Sequence, residues 1–226
     1  MSSSKSWSGS TARPPRVRKA ARLMWASRLK PSSDRWLRPL AGRLIAWGIS
    51  PTTLTIAGAA LVASSCMVLL VTRRVLLFCA LALAASCFDA LDGAVARISH
   101  RVTKSGAYLD AMCDRLSEAL VAISVAWVTG YWFLSSLVAI GALLVSYAKA
   151  RAAMEVAVSN LEWPDLMERT ERGVLYLAGL AASAVVSWKP FGRDVFWWTL
   201  VIVAVLSYAT VIQRMRRALE LIRMRS

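Results

Sequence analysis

FDALDGAVAR, at residues 88–97, and SGAYLDAMCDR, at residues 105–115, are the stretches from which the architecture of this chain can be worked out. The first follows a continuous apolar run, VLLFCALALAASC, of the kind that crosses a lipid bilayer. Each stretch places two aspartates beside an apolar segment, where carboxylates have little access to water. Carboxylates in such a position are unfavourable unless they have a function, and the rest of the sequence indicates which function that is.

The composition predicts a membrane protein. Of the 226 residues, 57% are hydrophobic and 18% are charged, and the mean hydropathy is +0.51, which is unusual for a soluble domain. The 28 Lys and Arg residues against 13 Asp and Glu residues give a net charge of +15. This charge suits anionic lipid headgroups and phosphorylated substrates. Because the basic residues flank apolar segments, we expect no nucleic-acid partner.

Six apolar stretches follow residue 50, and most approach the roughly 20 residues that a helical span requires. They cover residues 51–71, 75–96, 107–128, 131–150, 174–188 and 195–212. The stretches are continuously apolar rather than alternating, which predicts helices and not the strands of a barrel. We therefore predict an all-α, polytopic membrane domain of six transmembrane helices over residues 50–226.

Two segments precede this domain. Residues 1–30 are rich in Ser and Arg, contain no acidic residue and lack the apolar core of a secretory signal. They predict a disordered basic tail that lies against anionic lipid, although a transit peptide has the same composition. Residues 31–49 mix Trp, Leu and Ile with Arg, which predicts an amphipathic helix lying in the membrane interface.

The distribution of Lys and Arg predicts the orientation. With a cytoplasmic N-terminus, 23 of these residues lie on the cytoplasmic side and 4 on the opposite side, while Arg115 lies within a span. Cytoplasmic loops carry the excess of positive charge, so we expect a cell-membrane protein with both termini in the cytoplasm. The second helix then runs inward and the third outward. Both aspartate pairs therefore lie near the cytoplasmic ends of adjacent antiparallel helices.

The spacing of the aspartates predicts a metal site. Asp89 and Asp92 are about 60° apart around a helix, and Asp110 and Asp114 about 40°, so each pair shares a face. Four carboxylates that converge at the edge of hydrocarbon repel one another and lose hydration, and a divalent cation relieves both effects. Carboxylate oxygens suit Mg²⁺ or Mn²⁺, and we expect a pair of such ions. Taken singly, each aspartate also fits a solvated, helix-capping or arginine-paired residue.

The same stretches resemble the signature of the CDP-alcohol phosphotransferase family. The matching residues are Asp89, Asp92, Gly93, Ala96, Arg97, Gly106, Asp110 and Asp114, in the pattern D-x2-D-G-x2-A-R-x8-G-x3-D-x3-D. The resemblance implies a typically dimeric enzyme that transfers a phosphoalcohol group from a CDP-linked lipid to an acceptor hydroxyl and releases CMP. It implies that the four aspartates hold metal and that Asp114 is also the general base.

The resemblance also implies a site for the CDP-lipid donor. By position, this site comprises Thr52, Thr55, Asp92, Gly93, Ala96, Arg97, Thr103 and Gly106. The segment SPTTLT, residues 50–55, is similar to the Pro-Asn-x-x-Thr entry to the first span of the family, with Thr52 in place of Asn. Ser50 and Pro51 in this segment also fit a helix N-cap and the first helical position.

Two basic segments are relevant to how the acceptor substrate is bound. SYAKARA, residues 146–152, and ERTER, residues 168–172, are similar to the SY-x-KAR and ER-x-x-R segments of the inositol-phosphate-using branch of the family, bacterial and archaeal. The implied phosphate-binding residues are Ser146, Lys149, Arg151, Arg169 and Arg172. Arginine forks suit a phosphomonoester. The branch often has Glu two residues beyond this arginine, where Ala153 stands here, and ordinary positive-inside flanking also places basic residues in such segments.

We therefore expect a metal-dependent integral-membrane transferase that makes a phospholipid. Its donor is CDP-diacylglycerol or the archaeal equivalent, and its acceptor is a phosphorylated polyol, with inositol phosphate preferred. A phosphatidylglycerophosphate synthase that uses glycerol-3-phosphate would need a similar pocket. An ion or proton transporter is an alternative of another class, since intramembrane carboxylates also mark translocation paths. A transporter predicts acidic residues spread through the membrane depth, whereas these four lie near one face.

Overall fold

The structure, a computed structural model, describes residues 38–99, 103–156 and 166–225. Within these ranges the chain forms seven α-helices, one 3₁₀ turn and no strand, which confirms the predicted all-α class. The helices are α1 over residues 38–46, α2 (Pro51–Thr72), α3 (Val75–Ile98), α4 (Lys104–Thr129), α5 (Trp132–Glu155), α6 (Arg169–Val185) and α7 (Val195–Arg225). The tail predicted at residues 1–30 lies outside the described residues.

The six helices from α2 to α7 follow the six predicted apolar stretches in order. Four of them, α2, α3, α5 and α7, are long and apolar enough to cross a membrane. Helix α4 has 26 residues but carries five charged side chains among its first fifteen, and α6 has only 17 residues. The structure therefore has four helices with the apolar character of a span, and two further helices that pack with them.

The ends of α6 and α7 differ from the predicted stretches. Helix α6 begins at Arg169, before the apolar residues, because Glu168 and Glu171 form a capping box that satisfies its first backbone N–H groups. It ends at Val185. Helix α7 continues to Arg225, beyond the predicted end at residue 212, and buries Leu221 on the way. Hydropathy marks where a chain is apolar, and both helices extend into segments rich in charged residues.

The helices pack as a single bundle. Helix α2 packs against α3 and α4, α5 against α4 and α7, and α6 against α7 and α3. Phe78, Leu200 and Phe196 are fully buried in the main core, and Tyr176 stacks edge-to-face on Phe196 with ring centroids 5.2 Å apart. Outside the bundle, large apolar side chains such as Leu83 are 62% exposed, as expected for a surface that faces lipid.

Helix α1 is the described part of the predicted interfacial helix, whose residues 31–37 lie outside the described ranges. Ala41 is fully buried in a small cluster with Leu54 of α2 and Val95 of α3, while Arg38 and Arg43 are exposed. This arrangement places α1 against the end of the bundle where α2 begins and α3 ends.

Two helix starts and one helix end frame that part of the molecule. Ser50 caps α2 by accepting a hydrogen bond from the backbone N of Thr53 at 3.1 Å, and Pro51 occupies the first helical position. Thr103 caps α4 in the same way, accepting from the backbone N of Gly106 at 3.0 Å. Helix α3 ends beside the starts of α2 and α4. The aspartates of α3 and α4 therefore lie close to three helix ends.

Candidate active site

Three aspartates meet between α3 and α4. Asp89 and Asp92 come from the last turns of α3 and Asp110 from the second turn of α4, and one carboxylate oxygen of each lies within 4.8 Å of the other two. Asp92 is 7% exposed. The Oδ1 atom of Asp110 is buried and has no hydrogen-bond partner among the described residues. A buried carboxylate oxygen in this position is unfavourable unless a cation completes the site.

These residues fit a divalent cation. Their donor atoms are all carboxylate oxygens, which hard cations such as Mg²⁺ and Mn²⁺ prefer. Ligand distances to Mg²⁺ are about 2.0–2.1 Å, so oxygens no more than 4.8 Å apart are close to the separation that one ion can bridge. The unpartnered oxygen of Asp110 supplies a ligand that no other described residue uses.

Two side chains from other helices, Thr55 and Arg169, contact the carboxylates of this cluster and orient them. The hydroxyl Oγ1 of Thr55 in α2 donates a hydrogen bond to Oδ2 of Asp92 at 2.7 Å. Arg169, at the start of α6, places Nη1 3.1 Å from Oδ2 of Asp89 and 2.5 Å from Oδ2 of Asp114. The sequence predicted four converging carboxylates. The structure brings three together and joins the fourth, Asp114, to them through Arg169.

The residues assigned to the CDP-lipid donor lie around one cavity of about 270 Å³, at the start of α2, the end of α3 and the start of α4. All eight line it: Thr52, Thr55, Asp92, Gly93, Ala96, Arg97, Thr103 and Gly106. A Cβ atom on Gly106 would lie 2.9 Å from Oγ1 of Thr103, and one on Gly93 would lie 3.1 Å from Nη1 of Arg97. Side chains at these two positions would crowd the cavity wall, which explains the glycines.

A cluster of arginines lies on the other side of the aspartates. Arg172 is 5% exposed and donates from Nη2 to Oε1 of Glu118 at 3.0 Å, and Nε of Arg169 is 3.6 Å from the same oxygen. Nη1 of Arg115 contacts Oε2 of Glu118 at 2.8 Å and donates to Oγ of Ser146 at 2.7 Å. Arg169, Arg172 and Glu118 line a second cavity, of about 170 Å³, whose remaining walls are mostly apolar.

Ser146 is thus linked to Arg169 and Arg172 only through Arg115 and Glu118, and Arg151 is not part of this cluster. Arg151 pairs with Glu155 at 2.5 Å and lines a separate cavity between α5 and α7. At 100° per residue, Arg151 lies about 140° around α5 from Ser146, which explains why the two side chains leave the helix on different sides. Lys149 is half-buried on the same helix.

The cavities adjoin one another across the aspartates. A narrow third cavity, of about 60 Å³, is lined by Asp89, Asp92 and Asp114. It shares Asp92 with the cavity of the donor residues and Arg169 with the arginine-lined cavity. The acidic centre therefore stands between two compartments, and a charged molecule in each would meet at the carboxylates.

Two members of this arrangement were absent from the predicted site. Glu118 and Arg115 join the arginines of α6 to α4, and neither was assigned a role from the sequence. Their position was a usable signal, because Asp110, Asp114 and Glu118 recur every four residues and so follow one face of α4.

Comparisons with known proteins agree with this geometry. The chain is 32% identical to the archaetidylinositol phosphate synthase of Pyrococcus horikoshii over 195 residues, which is 85% of this chain and 95% of the relative. It is 32% identical to the phosphatidylinositol phosphate synthase of Corynebacterium glutamicum over 187 residues, 79% of this chain and 82% of the relative.

The chain is also similar to solved structures of such a synthase. The crystal structure of Mycobacterium tuberculosis phosphatidylinositol phosphate synthase with CDP-DAG bound matches with a TM-score of 0.71 and 26% identity, over 81% of this chain and 94% of that chain. The same enzyme in complex with manganese and citrate matches with a TM-score of 0.69 and 26% identity, over 80% and 88%. Residues 48–209 match the sequence profile of the CDP-alcohol phosphatidyltransferases. The predicted family is confirmed: this chain is a membrane enzyme of the CDP-alcohol phosphatidyltransferase family.

Proposed function

We propose that this enzyme transfers the phosphatidyl-type group of a CDP-linked lipid to a hydroxyl of inositol phosphate, releases CMP, and so serves phospholipid biosynthesis. The observation on which this rests is the series of adjoining cavities, with the donor residues on one side of the aspartates and the arginines on the other. The relatives named for inositol phosphate products support the choice of acceptor.

The donor is proposed to bind in the cavity of about 270 Å³. Arg97 and the hydroxyls of Thr52 and Thr103 line it and suit a nucleotide diphosphate, because they offer a cation and hydrogen-bonding groups. The cavity lies where helices end, at the boundary of the apolar part of the bundle. The CDP head can therefore reach the aspartates while the lipid tails stay in the bilayer.

The aspartates divide the chemistry between them. Asp89, Asp92 and Asp110 would hold the divalent cation, and we propose a pair of ions, Mg²⁺ or Mn²⁺, with Asp114 as a further ligand. A cation held there would neutralise charge on the donor diphosphate and on the departing CMP. Asp114 lines the narrow cavity that adjoins the arginine-lined one, a position from which its carboxylate can take the proton of the acceptor hydroxyl as general base. In-line attack at phosphorus depends mainly on such positioning and charge neutralisation.

The arginines provide the acceptor site. Arg172 and Arg169 line the cavity of about 170 Å³, and guanidinium forks match the oxygens of a phosphomonoester. Glycerol-3-phosphate carries the same phosphate and is the second candidate acceptor.

The distribution of charge argues against a transporter. Asp89, Asp92, Asp110 and Asp114 all lie toward one end of the bundle, and the polar side chains buried beyond them are hydroxyls such as those of Ser65 and Ser207 rather than carboxylates. A translocation path would need acidic groups through the membrane depth.

The proposal includes the arrangement in the membrane. We infer that α4 and α6 cross the bilayer with the four apolar helices, that α1 lies in the interface, and that the active site and both termini face the cytoplasm. The asymmetry of 23 Lys and Arg residues against 4 supports this orientation. A membrane-impermeant maleimide on intact cells should label a cysteine-free variant carrying Lys189→Cys and should spare one carrying Glu220→Cys. We also propose a homodimer, as in the family.

Purified enzyme with a CDP-lipid, Mn²⁺ and a panel of acceptors tests the reaction, with release of CMP as the readout. We expect CMP with inositol phosphate and none after chelation of the metal. CMP with glycerol-3-phosphate alone would replace only the acceptor, and no CMP with any acceptor would exclude the proposed reaction. Asp114→Asn should abolish turnover while it leaves CDP-lipid binding in place.

A further inference from the structure

Glu118 contacts three guanidinium groups at once, one helical turn beyond Asp114 on α4. Its Oε2 atom lies 2.8 Å from Nη1 of Arg115, and its Oε1 atom lies 3.0 Å from Nη2 of Arg172 and 3.6 Å from Nε of Arg169. The Glu118 side chain is 23% exposed, so solvent and salt screen these contacts less than those of a surface ion pair.

Two of the three contacts join different helices that line the same cavity. Helix α6 packs against α7 and α3, whereas Glu118 belongs to α4, and Glu118, Arg169 and Arg172 all line the cavity of about 170 Å³. An arginine side chain at a cavity wall has many rotamers, and each must be restricted before a ligand can be held. A shared carboxylate restricts both arginines of α6 in advance of ligand binding.

The two terminal nitrogens of the Arg172 guanidinium differ in their contacts. Its Nη2 atom donates to Glu118, while its Nη1 atom is buried and has no hydrogen-bond partner among the described residues. A buried guanidinium N–H without an acceptor is unfavourable, so this atom favours an incoming anion. The contact with Glu118 determines which nitrogen is left for that anion.

Glu118 also differs from the other acidic partners of the arginines. Arg169 contacts Asp89 and Asp114, but both belong to the aspartates proposed to hold metal. A carboxylate bound to a cation is a weaker partner for a guanidinium, because its charge is already neutralised. Glu118 is then the contact that continues to hold Arg169 and Arg172 in place.

We propose that Glu118 is a positioning residue for the acceptor: it holds Arg169 and Arg172 so that their remaining N–H groups receive the acceptor phosphate. This inference rests on the proposed function, since it requires a phosphorylated acceptor. Glu118 acts through the arginines and does not touch the substrate. The competing interpretation is a purely structural tie between α4 and α6.

Steady-state kinetics of Glu118→Gln and Glu118→Asp separate the two interpretations. Glu118→Gln keeps the size of the side chain and removes its charge, so the KM for inositol phosphate should rise roughly ten- to a hundredfold. The KM for the CDP-lipid and kcat at saturating acceptor should stay within about twofold of wild type. Competitive inhibition by inorganic phosphate should weaken in the same proportion, and Glu118→Asp should recover part of the loss.

Glu220→Gln is the matched control. Glu220 pairs with Arg217 at 3.1 Å with the same three-residue spacing as Arg115 and Glu118, but on α7. It should behave as wild type in every constant.

A double-mutant cycle tests whether Glu118 acts through Arg172. In an Arg172→Lys background, Glu118→Gln should raise the acceptor KM by a clearly smaller factor than in the wild-type background, because one of the two guanidinium groups that it positions is already gone. An equal effect in both backgrounds would overturn the inference. So would an unchanged acceptor KM, or an equal loss in the constants for both substrates. If Glu118→Gln does not fold, the acceptor KM of Glu118→Asp decides the question by the same criteria.

The failure of this inference can be told from failure of the proposed function. Wild-type turnover with inositol phosphate, together with an acceptor KM unchanged by Glu118→Gln, refutes the positioning role alone. Absence of turnover with every phosphorylated acceptor refutes both.

Discussion

Thr55→Val should impair catalysis without disturbing the fold. Thr55 is the contact by which α2 orients Asp92, and its hydroxyl lies 2.7 Å from Oδ2 of that carboxylate. The same hydroxyl is 3.2 Å from the carbonyl oxygen of Pro51, a longer contact within its own helix. Its single proton therefore serves Asp92. Valine has nearly the same shape as threonine, so the substitution removes the hydrogen bond and leaves no cavity.

The size of the effect follows from the charge of the acceptor atom. A hydrogen bond to a charged group contributes about 1.5–3 kcal/mol. Asp92 is 7% exposed, so water cannot readily replace the lost donor. Since about 1.4 kcal/mol corresponds to a factor of ten in rate, kcat/KM for the CDP-lipid should fall roughly ten- to a hundredfold. Loss of a residue that orients a metal ligand has an effect of about the same size.

CMP release at varied CDP-lipid and Mn²⁺ concentrations measures this change. Thr55→Ser keeps the hydroxyl and should retain most of the activity. Thr72→Val is the control at the far end of α2, where the hydroxyl donates to the carbonyl oxygen of Val68 at 2.7 Å and accepts from the backbone N of Arg74 at 3.3 Å, and its turnover should match wild type. If kcat/KM of Thr55→Val for the CDP-lipid stays within twofold of wild type, the hydrogen bond to Asp92 has no catalytic role.

Three further substitutions have separate readouts. Asp110→Asn removes one negative charge from the aspartate cluster, so the thermal unfolding midpoint in EDTA should be unchanged or higher than that of wild type. The increase in this midpoint on adding millimolar Mn²⁺ should vanish. If the increase is retained, Asp110 is not a metal ligand. Tyr131→Phe deletes the 2.7 Å hydrogen bond to Oδ2 of Asp194, at the opposite end of the bundle. Its free energy of unfolding should fall by about 1–2 kcal/mol with CMP release unchanged, and a fall in turnover would contradict the separation of the two ends. Gly106→Ala would crowd the capping hydroxyl of Thr103, so the KM for the CDP-lipid should rise about three- to tenfold with the acceptor KM unchanged. Equal changes in the KM values of the two substrates would show that Gly106 does not belong to the donor site.

The helices, and the meeting of the eight residues assigned to the donor at one cavity, could be predicted from the sequence because both depend on residues close to one another in the chain. A continuous apolar run predicts a helix wherever it occurs, and Ser50 followed by Pro51 marks the start of α2 in both sequence and structure. The donor residues lie on three helix ends that short connections keep together. Five of the eight come from the aspartate motif, Thr52 and Thr55 come from the SPTTLT segment, and Thr103 lies between the two halves of the motif; all eight line one cavity.

The arginine cluster could not be predicted in detail, because it depends on how α6 is rotated against α4. Arg169 meets Asp89, which is 80 residues earlier in the chain, and Arg172 meets Glu118, 54 residues earlier. Hydropathy contains no information on that rotation. Arg151 differs for a simpler reason: two residues along a helix turn a side chain about 200°, so a run of basic residues cannot all face one pocket.

Anomalous diffraction from crystals of the wild-type enzyme grown with Mn²⁺ and a CDP-lipid would show whether a divalent cation binds between the aspartates of α3 and α4. We expect a manganese peak between Asp89, Asp92 and Asp110, at roughly 2.0–2.3 Å from a carboxylate oxygen of each. We also expect the diphosphate of the donor beside this peak, on the side of the cavity lined by Arg97. Manganese absent from these carboxylates, with Arg169 and Thr55 still their sole partners while the CDP-lipid is bound, would contradict the proposed metal site.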